Sequence, residues 1–237
     1  MRLPRTTVAV VRRVRLGLLA LIVVPVLAIC LEAQTSGTHP VTGRRFADVM
    51  GHRGAPWLDR AERDREENTT RAIALLGVTP GMVVADFGAG SGYYTERLSR
   101  AVGPSGRVIA VDIQPEMLEL LGARMKRLGL TNVELVRSTH DEPRLPTGAV
   151  DLIVMVDVYH ELAEPQRVLR RMKAALTATG RIAILEYRKE DPAVPIRLEH
   201  KMSVAEAVSE FGAEGYELDS RVDVLPWQHL LFFVPRR

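Results

Sequence analysis

Residues 86–93 read Asp-Phe-Gly-Ala-Gly-Ser-Gly-Tyr, three glycines at alternate positions behind a carboxylate. Such a run lets the backbone turn sharply, approach a ligand closely and aim a following helix N-terminus at it. The plainer alternative is a tight strand-to-helix turn with no ligand. A dinucleotide pyrophosphate site needs G-x-G-x-x-G. With Gly88 and Gly90 in the first two places the third falls on Tyr93, so that pattern fails.

A second group of reactive side chains follows two long apolar runs. Asp157, Tyr159, His160 and Glu161 come after the first, and Glu186-Tyr187-Arg188 after the second. Asp157, His160, Glu161 and Glu186 are costly to desolvate unless they pair with each other or with a ligand. His160 changes charge near neutral pH and is the first candidate for a general base. Its plainer reading is a histidine bonded to loop backbone, and that of Glu186–Arg188 is a surface salt bridge. His200-Lys201-Met202 and Trp227-Gln228-His229 read as packing or as a substrate wall. One cysteine, Cys30, excludes a disulfide framework and a multi-cysteine zinc site, and no metal is expected.

These residues need elements to hold them. Residues 57–76 read as one polar helix with Leu58, Ala61, Ile73, Leu75 and Leu76 on its apolar face, ended by Gly77 and Pro80-Gly81. Strands are predicted at 82–87, 107–113, 132–138, 150–158 and 180–187. Helices are predicted at 91–102, 115–128, 165–177 and 199–212, and a closing hairpin at 216–225 and 228–235. Apolar strands alternating with helices imply an α/β fold, a mostly parallel sheet covered on both faces. The last two strands are joined too tightly for a crossover helix, so the final strand runs antiparallel. Ligands in such a sheet bind beyond the carboxyl ends of the strands, where the strand order reverses.

The pattern that does fit residues 86–92 is D-x-G-x-G-x-G, which resembles the first motif of class I S-adenosylmethionine-dependent methyltransferases. The likeness runs over roughly residues 70–237 and includes Asp112 in VDIQPEML, Asp141 in HDEPRLP, DLIVMVDVYHEL and TGRIAILE. It implies a Rossmann-like three-layer sandwich with a seven-stranded sheet. It also implies S-adenosylmethionine as cofactor, held by Asp86, Gly88, Ala89, Gly90, Gly92, Tyr93, Asp112, Ile113, Met117, Asp141 and Asp157. Asp112 would accept both ribose hydroxyls and Asp141 would lie near the adenine. Asp86 would orient the loop near the methionine end, and Tyr93 would pack closer to the cofactor than Tyr94. The acceptor pocket would take His160, Asp157, Glu161 and Glu186. Within the superfamily the chain is most similar to the quinone-biosynthesis C-methyltransferase group, implying a small-molecule acceptor. An arsenite acceptor is excluded, because the domain lacks cysteines. Two alternatives stay open: a protein L-isoaspartate-type O-methyltransferase, to which GSGYYTERLSRAVGPSGRV is similar, and a non-catalytic S-adenosylmethionine-binding module.

The net charge of +3 is unevenly placed. Residues 1–33 carry five arginines against Glu32, and residues 34–237 carry 27 basic and 28 acidic side chains. The domain is close to neutral, so no nucleic-acid partner is expected. Residues 16–31 form an uncharged apolar run behind the arginines, the pattern of a signal peptide or membrane anchor. Cleavage after Ala33, a lipoprotein site at Cys30 and a twin-arginine signal at Arg12-Arg13 all remain open, and export or membrane attachment is expected. Residues 34–55 read as a linker or loosely packed arm, and 56–237 as the catalytic domain.

Overall fold

A computed structural model describes residues 37–237. The apolar run of the N-terminus lies outside the described residues. Among the described residues no helix is long and apolar enough to cross a membrane.

The central strands are short and apolar because helices bury both their faces. β1 (Val83–Phe87), β2 (Arg107–Asp112), β3 (Val133–Arg137), β4 (Val150–Val156) and β5 (Leu176–Arg188) run parallel. The two-residue β6 (Lys201–Met202) adds to β5, and the hairpin β7 (Tyr216–Val222) and β8 (Gln228–Pro235) closes the sheet. The order is β3-β2-β1-β4-β5-β8-β7, and β8 pairs antiparallel with both β5 and β7. The order reverses between β1 and β4, as expected for the crevice.

The period-two alternation of the strands divides the core. Phe87, Ile109, Val111 and Met155 pack with Val168, Leu169 and Met172 of α6 (Pro165–Ala175) and with Phe211 of α7 (Val204–Ala213). Val84, Val108 and Val154, on the opposite face, pack with Leu98 and Val102 of α4 (Tyr93–Val102). Ala110 meets Leu121 and Met125 of α5 (Pro115–Leu128).

Three expectations change. The polar helix expected at 57–76 is three pieces, α1 (Ala55–Leu58), α2 (Arg63–Glu67) and α3 (Thr69–Leu75). Asn68 makes the second break. It takes φ 51°, ends α2 and caps α3 with its side-chain oxygen, which accepts from the Arg71 amide at 3.2 Å. Asparagine tolerates this left-handed geometry, whereas a helix interior does not use it. The helix expected from 199 begins at 204, because Ser203 and Glu206 form a capping box. The arm is not loose: Arg44 is buried, and its guanidinium donates to both oxygens of Glu210 on α7 at 3.1 and 3.0 Å.

Candidate functional site

The carboxyl ends of β1, β2 and β4, with the arm and α1 above them, enclose a cleft of about 800 Å³ including its open mouth. Asp112 lines it. One carboxylate oxygen accepts from the Gly90 amide at 2.8 Å and the other from the Gln114 amide at 2.9 Å. Burial pushes its pKa up, and these amide bonds pull it back down. A carboxylate oxygen has room for a second donor, so Asp112 can hold the loop and still face a ligand. Ile113 and Met117 line the same wall.

Within the glycine loop the residues divide by task. Gly88 and Gly90 line the cleft. Gly88 has φ 77°, and a Cβ there would lie 2.4 Å from a Val158 methyl. Gly92 has φ 84°, and a Cβ there would meet Leu121 of α5 at 2.7 Å. Ala89 and Gly92 are not among the cleft-lining residues. The Gly88 and Ala89 amides donate to the Val111 carbonyl at 2.8 and 2.9 Å, so they stitch the loop to β2.

Asp86, Tyr93 and Asp141 do not line the cleft. Asp86 is buried beneath the loop and accepts from the Thr95 hydroxyl of α4 at 2.5 Å. Burial raises its pKa to about 6, helped by the charge of Asp112 and opposed by the Thr95 hydrogen bond. Tyr93 does not line the cleft; the guanidinium carbons of Arg97 and Arg63 lie 3.8 and 4.5 Å from its ring centre. Asp141 turns to the surface, pairing with Arg167 at 3.3 Å and accepting from Thr139 at 3.0 Å. Its neighbours Ser138, Thr139 and His140 line the cleft instead.

The acceptor-side cluster is partly assembled at the cleft. Asp157 ends β4 at φ 53°, an uncommon conformation for a residue other than glycine. One of its oxygens accepts from the Gln228 amide at 2.8 Å, and the other is buried with no partner. Burial, with Glu67 and Glu186 nearby, holds its pKa well above the carboxylate range. Glu161 lines the cleft beside Asp157, and burial raises it to about 7 against the opposing pull of His160. His160 and Glu186 do not line the cleft. They form a buried pair, Nδ1 to Oε2 at 2.6 Å, and the other ring nitrogen of His160 is 3.1 Å from Nδ1 of His200. Burial works against a charge on His160, but Glu186 outweighs it and raises the pKa. With both ring nitrogens engaged, His160 is not placed as a base for a ligand in the cleft.

Several lining residues carried no sequence signal. Gln114 accepts from the His52 amide at 2.8 Å and donates to the Met50 carbonyl at 2.9 Å, fastening the arm over the cleft. Val49 and Met50 become part of the wall. Gln228, read as packing or substrate wall, instead supports Asp157.

Fold and cleft define a class I methyltransferase domain, and the sequence matches the methyltransferase domain family over residues 78–218. The chain belongs to that family. It is 32% identical over 118 residues to the ubiquinone/menaquinone biosynthesis C-methyltransferase UbiE of Pasteurella multocida, covering 49% of this chain and 44% of that protein. The chain thus spans about half the length of the curated relatives it matches. A crystal structure of an S-adenosylmethionine-dependent methyltransferase from Aquifex aeolicus superposes with TM-score 0.74 at 29% identity, covering 78% of this chain and 98% of that one. The [4+2]-cyclase SpnF shares the fold alone, with TM-score 0.58 at 19% identity over 78% of this chain and 67% of that one.

Proposed function

We propose that this protein transfers a methyl group from S-adenosylmethionine to a small-molecule acceptor bound in the cleft. The observation that carries the reading is Asp112, whose two oxygens clasp the glycine loop and the turn after β2 in the wall of the cleft. Two adjacent ribose hydroxyls need an acceptor with two oxygens, and a carboxylate supplies it. The unpartnered oxygen of Asp157 fits the same ligand, because a buried, singly bonded carboxylate is completed by a cationic group. Ile113 and Met117 supply an apolar wall for the adenine, with Ser138 to His140 at its edge.

Bound S-adenosylmethionine supplies a methyl on a good sulfonium leaving group. What remains for the chain is proximity and orientation. The glycine loop, Asp112, Asp157 and Glu161 line one cleft, and Met50 and Leu58 help to exclude water from it.

The first experiment is calorimetry with S-adenosylhomocysteine, followed by transfer of a labelled methyl to small molecules extracted from the native host. Saturable one-to-one binding and a labelled small product are expected. Binding without transfer favours a non-catalytic binding module. Label on protein favours the L-isoaspartate type, and absence of binding overturns the cofactor assignment. We further propose that residues 1–33 attach the domain to a membrane or direct its export, on the strength of the five arginines and the apolar run that follows them.

A further inference from the structure

His160 and His200 stand on two single turns of 3-10 helix, Tyr159–Glu161 and Leu198–His200, that pack against each other beside the cleft. Their imidazoles meet edge-on with ring planes at 90°, and His160 Nε2 lies 3.1 Å from His200 Nδ1. A carboxylate oxygen of Glu161 completes a group of three donor atoms within 4.8 Å of one another. Among the described residues it is the one such group.

We propose that His160 Nε2, His200 Nδ1 and the Glu161 carboxylate bind a divalent metal ion of the zinc type at the wall of the cleft. Two imidazoles and one carboxylate are the ligand set of catalytic zinc sites that keep a fourth position open. Zinc–nitrogen bonds of about 2.0–2.1 Å at a tetrahedral angle place two ligating nitrogens about 3.3 Å apart. The observed 3.1 Å is close to that spacing. The carboxylate must swing inward, which a half-buried side chain at the cleft edge permits.

The surroundings point the same way. Glu186 lies 2.6 Å from His160 Nδ1, and in the neutral ring with Nδ1–H donating to that carboxylate the Nε2 lone pair faces His200. A carboxylate behind a histidine is the common outer support of zinc-bound imidazole. The other Glu186 oxygen is buried with no hydrogen-bond partner. Asp48 and Glu199 lie near His200, with Arg197 the one cation set against them there, and Asp157 lies near His160. The cation that reaches this turn by a direct bond, Arg44, gives Nε–H and Nη2–H to the Glu210 carboxylate and only an Nη1–H to the His160 carbonyl. A dication offsets this excess of negative charge. Glu161 is the ligand that lines the cleft, so an oxygen of the methyl acceptor can take the open position. That last step rests on the methyl-transfer reading; metal binding itself does not.

The competing arrangement is a proton held between His160 Nε2 and His200 Nδ1 in place of a metal. Zinc calorimetry on the chelator-stripped full chain, with any affinity tag removed, separates the two. One zinc ion per chain is expected. His200→Ala changes a half-buried residue and should weaken zinc binding at least 100-fold, Glu161→Gln at least tenfold, and His52→Ala not at all. S-adenosylhomocysteine binding by His200→Ala should persist, so the two readings fail separately. No zinc binding by the parent chain, or equal affinity in His200→Ala, overturns the proposal.

Discussion

Asp112 is a strut and, in the proposed function, also a ligand group. Its oxygens carry the amides of Gly90 and Gln114, and Gln114 in turn holds the arm through His52 and Met50. Asp112→Ala therefore removes the proposed diol acceptor and strands two amides. We expect S-adenosylhomocysteine affinity to fall by about 1.5–3 kcal/mol, roughly tenfold to 150-fold, the scale of hydrogen bonds to a charged group. Stability should fall by a further 1–3 kcal/mol or so for the unsatisfied amides. Calorimetry and urea unfolding read the two losses separately. Unchanged affinity would remove Asp112 from the cofactor site.

Between elements, Asp86 joins β1 to α4 through Thr95, with Asp112 and Arg63 as its charged neighbours. Its pKa is about 6 in the fold against 3.8 for the free side chain. Below the lower value the carboxyl is protonated in both states and stability is unaffected. As pH rises through the interval the unfolded chain ionises first, so the fold loses stability. Above the upper value the penalty is complete, on the order of 3 kcal/mol. Asp86→Asn keeps an oxygen for the Thr95 hydroxyl and removes the penalty. The variant should melt above the parent at pH 8, and the gap should close toward pH 4. A gap of the same size at both pH values would show that Asp86 does not titrate in this interval.

For the whole molecule the arm is the connecting piece. It runs from the Thr38–Arg45 bridge to Met50, and it ties α7 and the turn at His160 to the cleft wall. Arg44 and Glu210 are both buried, and Thr42 and His39 also face Glu210. Arg44→Ala leaves that carboxylate without its main partner, which costs about 3–5 kcal/mol for a buried pair. Replacing both partners with apolar side chains, Arg44→Met with Glu210→Leu, should cost much less. Urea unfolding of the single and double variants compares them, and equal losses would argue against a buried charge as the cause. For residues 1–33, fractionation of an intact tagged protein with alkaline extraction tests the membrane proposal. Recovery of the uncleaved chain in the soluble cytosolic fraction would refute it.

Local patterns were enough for the strands, for α5 with its proline start and Gly129 stop, and for the sheet class. Apolar period and terminal signals act over a few residues and are written directly into the chain. The three-way break of residues 55–75 was not legible, because Asn68 is unremarkable until its left-handed geometry is required. The Ser203–Glu206 capping box is a signal written in the sequence as Ser-Val-Ala-Glu. The alternating glycines and Asp112 are legible because they adjoin strand ends that the fold brings together. Asp141 and Tyr93 follow those strand ends too, but side-chain direction depends on partners far along the chain, Arg167 for one and Arg63 for the other. Only the tertiary structure set His160 behind Glu186 and against His200, 26 and 40 residues away. Sequence spacing fixes which strand end a residue occupies. The packing of distant elements decides which way its side chain turns, and thus whether it meets the ligand, a salt bridge or another histidine.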